Sequence, residues 1–465
     1  MKIVVIIVLL ALIGGPFALF FLSAPTALSV QPQQLAAIGL DTPVKIHAEN
    51  PHGIRYVAAS IEQDGKTYST RFPQMPMTRL FFKRRVPPRD VTVRVGKNID
   101  PALHDGKARM TLSATGNDFR GSTARKSFDV DVITAPPRIS ADAVQHYINQ
   151  GGSEMATFTP SGSWTEAGVK VGDYAFRSFP LPKQPGQYFS LFAFSWQLPV
   201  DTPVYVYATN PSGAMARASF WYKIFPKKFR ASTIRLEDMN LDRMVNQIDP
   251  DHKIEGDLLH RFLYINGEMR KKNNKTLADL RFQTAPEFLW KGAFLPMVDS
   301  TVESRFADRR TYSWQGKKVD EQVHLGFDLA KLAHSPIPAS NDGRVIWAEE
   351  LGIYGNCVVI DHGYGLQSIY GHLSEFLIKK GDMVKKGQII GKTGSTGLAS
   401  GDHLHFTMQV DGVQVNAVEW WDPHWVHDRI LSKLGQDLGE NMADPAAATP
   451  GGYPAPVRRA RKHKR

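Results

Sequence analysis

Between residues 355 and 410 the chain is cut by glycine into short apolar runs: "GNCVVIDHG", "YGLQSIYGHLS", "VKKGQIIGKTG" and "GDHLHFTMQV". Such runs are too short for packed helices but long enough for strands, which need only about five or six residues. Glycine turns between them send the chain back on itself, so an antiparallel sheet is expected. The last run places His403 and His405 one residue apart. Side chains in a strand alternate faces, so these two imidazoles point the same way. Two half-exposed strand histidines are an ordinary occurrence, and a metal site needs further ligands.

The further ligands are present. "EQVHLGFDLA" sets His324 and Asp328 four residues apart, one face of a strand or a helix alike. "YGHLS" ends a strand at His372. The segment thus supplies His324, Asp328, His372, His403 and His405 within about eighty residues. Catalytic zinc is held by three imidazoles or carboxylates with one position left for water, so five candidates leave two side chains to act on that water.

At 465 residues the chain is too long for one ordinary core, and two to four domains are expected. An apolar fraction of 42% with 22% charged residues describes a folded protein rather than a disordered one. Residues 1–27 carry Lys2 and then an uncharged run from Ile3 to Leu22, about the length that spans a bilayer. Pro25 spoils the signal-cleavage sites after Ala24 and Ala27, so an uncleaved single-pass anchor is expected, with everything beyond it outside the cytoplasm, in the periplasm or on the cell-wall side. Residues 28–135 and 136–230 read as two antiparallel modules of short alternating strands, joined at "TAPPR". "SATGNDFRGSTARKSF" and "YATNPSGAMARASF" look like the same hairpin in each, and the style resembles the immunoglobulin-like spacers of bacterial surface proteins. Residues 231–283 have helical periodicity, with Ser232 or Thr233 as a cap and His260 as an ordinary helix residue, and form a helical connector. Residues 284–430 are the β-rich domain with the histidines. The formal net charge of +11 is largely a property of the tail, since six basic residues lie among the last eight. Residues 431–465 are expected to be disordered, able to contact an anionic polymer or lipid, with no specific nucleic-acid signature. The single cysteine, Cys357, sits among apolar residues and is expected to be buried and inert.

The motifs "HLGFDLA", "YGHLS" and "HLHF", in that order, resemble the zinc metallopeptidases of family M23, the lysostaphin and LytM type. "GNCVVIDHGYGL", "VKKGQIIGKTGSTG" and "DGVQVNAVEW" are similar to that family's core sheet, and the resemblance covers residues 300–422. It implies that Zn2+ is held by His324, Asp328 and His405, while His372 and His403 are the catalytic histidines beside the metal-bound water. Tyr370, Asn356 and Arg309 are then candidate substrate contacts. The substrate implied is a peptide bond of peptidoglycan. Two features depart from the family: Ala307 stands where relatives often have glycine, and "TYSWQGKKVDEQ" is an unusually long approach to His324. The reading that follows is a mostly β chain: a transmembrane helix, tandem immunoglobulin-like β-sandwiches, a helical connector and an antiparallel β peptidase domain. A non-catalytic relative that activates cell-wall amidases is the alternative, although such relatives typically lose ligands. A biotinyl or lipoyl-like carrier hairpin at "KKGDMVKKGQIIG" leaves the histidines without a purpose.

Overall fold

The computed structural model describes residues 24–31, 35–72, 86–117 and 120–435, together with 14–15 and 442. The apolar run of the expected anchor, apart from Gly14 and Gly15, and the basic end of the tail lie outside these residues. Among the described residues no helix is long and apolar enough to cross a membrane. The chain divides into two compact units: Met1–Ile139 with Pro160–Ala167 and Tyr207–Arg217, and Ser140–Thr159 with Gly168–Val206 and Ala218–Arg465.

In the first unit, strand Thr42–Glu49 alternates buried and exposed residues without a break, as a strand covered on one face must. It lies between Ala27–Gln31 and Arg89–Val95 in a three-stranded sheet. A five-stranded sheet runs Ala37–Ile38, Thr123–Val132, Gly106–Gly116, Ile54–Gln63, Lys66–Arg71. Val44, Ile46 and Val93 of the first sheet and Ile61, Met110, Leu112 and Val130 of the second belong to one apolar core. Asp64 and Gly65 close the hairpin between the last two strands with φ of 50° and 74°, the mirror-image turn that Asp-Gly favours.

In the second unit, strand Ser153–Ser161 pairs over residues 153–158 with Tyr188–Ala193, and His146–Asn149 runs parallel to Tyr222–Phe225. The connector differs from its helical expectation at the start. Ala231–Arg235 is a strand, parallel to Asp308–Trp314, because β-branched Thr233 and Ile234 have a distant partner there. The helix cap is therefore neither Ser232 nor Thr233. Asn240 caps Leu241–Ile248 by accepting from the Arg243 N–H, and Asp257 caps Leu258–Tyr264. A further helix, Arg270–Asp279, follows.

The principal sheet has the order Thr301–Ser304, Phe327–Ala330, Leu404–Val410, Leu366–Leu373, Asn356–Gly363, Gly343–Glu350, Met383–Val384, with Val413–Val415 added beside Leu404–Val410. Every pairing in it is antiparallel. Its central strands are buried at nearly every residue, because helix side chains such as Val245, Phe262, Ile265 and Leu277 pack with Cys357, Val359 and Ile369. The buried glutamines of these strands have a definite use. Gln409 donates to the Leu277 carbonyl and Gln367 to the Leu280 carbonyl, satisfying the orphan end of the last helix. Burial pushes the Cys357 thiol up, in keeping with an inert side chain.

The first residues of the expected disordered tail, 431–465, are ordered. Leu431–Lys433 is a helical turn with Leu431 and Leu434 buried, and Lys433 Nζ lies 2.8 Å from Glu154 Oε1. Nearby, the buried Glu419 accepts from Asn149 Nδ2 at 2.7 Å and the Ser153 N–H at 2.8 Å. Gly152 leaves it room, since a Cβ there would collide with the carboxylate. Burial raises its carboxyl from the ordinary 4.5 to about 7, against the two hydrogen bonds. The native chain keeps this proton between those two values while the unfolded chain has released it. This contribution is fully present below pH 4.5 and is lost as pH rises to about 7, an effect on the order of 3 kcal/mol at most. The thermal midpoint is therefore expected to fall from pH 5 to pH 8, and Glu419→Gln, which cannot ionise, to flatten that slope. An identical slope in wild type and variant would contradict the assignment.

Candidate metal centre

Three neighbouring strands bring the donors together. Asp328 on Phe327–Ala330 pairs directly with His405 on Leu404–Val410, and His405 pairs on its other side with Gly371, next to His372. His324 ends the strand Lys317–His324, opposite Asp308. That hairpin is the long approach "TYSWQGKKVDEQ", turned at Gln315 and Gly316, both with positive φ. Gly326 is required locally, since a Cβ there would come within 2.6 Å of His405 Cε1 and Nε2. Ala307 takes φ 62°, so the backbone bend that glycine makes easily is kept here with an alanine.

His324 Nε2 lies 2.9 Å from His405 Nδ1 and 2.9 Å from Asp328 Oδ1, and His405 Nδ1 is 3.2 Å from the same oxygen. All three residues are buried. Tetrahedral ligands at about 2.0–2.1 Å from zinc stand roughly 3.3 Å apart, close to this triangle. His324 Nδ1 faces the Arg305 carbonyl at 3.2 Å, the outer hydrogen bond that orients a metal-binding imidazole and leaves Nε2 toward the triangle. Burial takes His405 down to about 4, so its imidazole is neutral at pH 7, with Nδ1 facing the other two donors. Burial alone would raise the Asp328 carboxyl, but His324, with bonds from His403 and His405, holds it well below the carboxylate range. The donor set therefore fits zinc.

His372 and His403 stand beside the triangle, ring centroids 4.8 Å apart. His372 Nδ1 is 2.8 Å from the Thr396 carbonyl and His403 Nδ1 is 2.9 Å from the Gly401 carbonyl, which fixes both rings. His372 therefore presents Nε2 as its free nitrogen, while His403 Nε2 faces Asp328 Oδ1. Burial drives His372 well below its ordinary value, with His403 and His405 adding to the effect. For His403 burial works downward, but the Asp328 carboxylate, 3.4 Å from its Nε2, outweighs it and raises the ring. One imidazole is thus kept neutral and its neighbour is biased toward the cation. His372 also holds φ 66°, a costly backbone for a non-glycine residue and one that occurs at functional sites.

The five side chains line one groove. Its lining combines residues of the strands with Met239, Met244, Phe262, Arg270 and Asn274 of the connector. The remaining expected contacts lie elsewhere. Tyr370 is buried in the core, its hydroxyl accepting from the Ser340 N–H at 2.7 Å and bonded to Ser368. Asn356 is a structural residue that donates to the Leu373 carbonyl. Arg309 points away from the groove and lies over the Trp196 ring. Its neighbour Arg310 does line the groove, as do Arg230 and Arg270, and Ser304 and Tyr312 lie in the same lining. The Gln315-Gly316 turn alone would set Asp308 opposite Val323; a register shift at Tyr312 moves it opposite His324 and puts residues 308, 310 and 312 on the ligand face, which no signal in the sequence announces.

A buried His-Asp-His group with two more imidazoles beside it is a set of side chains that could hold a metal ion. Residues 322–417 match peptidase family M23, and this segment is an M23 peptidase domain. The chain is 36% identical over 133 residues to the DD-carboxypeptidase/endopeptidase Mpg of Neisseria meningitidis serogroup B, covering 28% of this chain and 29% of that protein. It is 36% identical over 162 residues to the peptidoglycan DD-endopeptidase ShyA of Vibrio cholerae, covering 34% of each. The chain thus spans about a third of the length of these curated relatives. Among solved structures, the catalytic domain of the prophage-encoded M23 protein EnpA from Enterococcus faecalis is 32% identical. That match covers 27% of this chain and 95% of the other, with a TM-score of 0.23.

Proposed function

We propose that the chain is a zinc metalloendopeptidase that hydrolyses peptide cross-links of peptidoglycan. The observation that carries this reading is the convergence of His324, Asp328, His405, His372 and His403 in one groove of a domain from a zinc-dependent peptidase family. His324 Nε2, Asp328 Oδ1 and His405 Nδ1 would hold the ion. Zinc so held supplies Lewis-acid polarisation of a carbonyl and a water acidified to a pKa of about 7. The protein's own groups do the rest. His372, neutral and with Nε2 free, takes a proton from the attacking water and returns it to the leaving amine. His403, biased toward the cation, donates from Nε2 to the developing oxyanion. The hydroxyl ends on the carbonyl carbon and the proton on the amine, so one peptide bond is exchanged for an acid and an amine. The relatives named for DD-peptide cleavage support peptidoglycan as the substrate.

In this reading the apolar run 3–22 anchors the chain in the membrane with its bulk outside the cytoplasm. The β modules between are immunoglobulin-like spacers, and the basic end meets an anionic polymer or lipid. The test is digestion of isolated peptidoglycan by the purified chain, followed by mass analysis. Released fragments should carry new peptide termini and no new reducing sugar ends. New reducing ends on intact peptides would point to a glycosidase and overturn the proposal.

A further inference from the structure

We infer that Arg310 makes the groove selective for substrates with a free carboxylate on the residue next to the scissile bond; this rests on the peptidase reading above. Arg310 is outside the donor triangle but touches it: Nη2 lies 3.0 Å from Asp328 Oδ2 and 2.7 Å from Ser304 Oγ. Asp328 offers its other oxygen to the metal site, so the guanidinium stands within about one residue's length of the reacting position. Both bonds fix Nη2, and Tyr312 supports the group from the same strand. A guanidinium has five N–H donors in a planar fork, more than these contacts use, and the side chain keeps 22% of its surface exposed.

The surroundings favour an anion. On the neighbouring strand Ser232 pairs with Arg310 in register, and Arg230, Ser232 and Arg310 all line the groove, with Arg270 of the connector. The acidic residues of the lining are Glu303, Asp308 and Asp328. Asp308 accepts from the Arg305 N–H, and Asp328 is committed to the donor triangle. Three arginines and three carboxylates line the groove, so a divalent ion sharing Asp328 would leave it with net positive charge. A planar fork meeting a carboxylate makes a paired, charge-assisted contact, which a neutral carboxamide cannot reproduce. If Arg310 served only as a counter-ion for Asp328, it would affect metal retention but would not distinguish an acid from an amide.

The experiment uses two peptidoglycan-derived peptides that differ only in whether the residue after the scissile bond ends in a carboxylate or a carboxamide. Wild type should prefer the acid by about 10- to 100-fold in kcat/KM, mainly through KM. Arg310→Gln should bring the ratio near one, and Arg310→Lys should keep part of it. Because it is a ratio within one preparation, lost metal or incomplete folding does not move it. Binding of the same peptides to the metal-free chain, measured by calorimetry, should show the same order, with the acid tighter in wild type and the two equal in Arg310→Gln. A wild type that treats acid and amide alike, or an Arg310→Gln variant that keeps the wild-type ratio, overturns the inference. If wild type cleaves neither peptide nor peptidoglycan, the peptidase reading fails, and the binding comparison still decides the role of Arg310.

Discussion

His403→Ala and His372→Ala are each expected to keep their zinc and to lose activity by about 100-fold or more. Neither ring belongs to the triangle of His324, Asp328 and His405, so the three donors survive either change. The rings contribute through Nε2, positioned by the Gly401 and Thr396 carbonyls. The two losses should differ in kind. Without His372 the proton path is missing, so an added small base such as imidazole should restore part of the rate. Without His403 the oxyanion donor is missing, and a base should not help. Metal content and hydrolysis measured on both variants check this. A zinc-free His403→Ala beside a zinc-loaded His405→Ala would reverse the roles assigned to the two histidines of "HLH".

The larger effect is expected from the donors themselves. Replacing His324, Asp328 or His405 with alanine leaves two ligands, too few for a tight site, so each variant should lose both metal and activity. Asp328→Ala carries an additional cost, because it also strips Arg310 of its partner, an ion pair in which the carboxylate side chain is only 11% exposed. Removing one member of a buried pair is typically destabilising by about 3–5 kcal/mol, and the partly exposed guanidinium moderates that cost here. Asp328→Asn should therefore fold better than Asp328→Ala while binding zinc no better. Elemental analysis and thermal melts on the same preparations separate the two effects. Full zinc occupancy in all three alanine variants would refute the ligand assignment.

The grouping of His324, Asp328 and His405 was expected from the family resemblance, and local rules account for part of it. Residues 403 and 405 share a face by strand alternation, and Asp328 lies directly opposite His405 in the observed register. What failed depended on register or on distant partners. Arg309 and Arg310 differ by one position, and one position exchanges the groove for the outer face. Tyr370 has the parity of His372 and should share its face, but the positive φ at His372 breaks the alternation and leaves Tyr370 in the core. Ala231–Arg235 read as helix because its charges suited one, and its strand partner lies more than seventy residues away. Leu431 and Leu434 read as tail because nothing nearby in the sequence shows the surface that buries them.

The account stands on zinc held by His324, Asp328 and His405 and on hydrolysis that depends on it. The direct measurement is a zinc titration of the metal-free chain, with release of peptide fragments from isolated peptidoglycan recorded at each addition. Activity should rise from baseline and reach its plateau at about one zinc per chain, as a single three-ligand site requires. Equal hydrolysis by the metal-free chain, or no hydrolysis at any zinc loading, would contradict it.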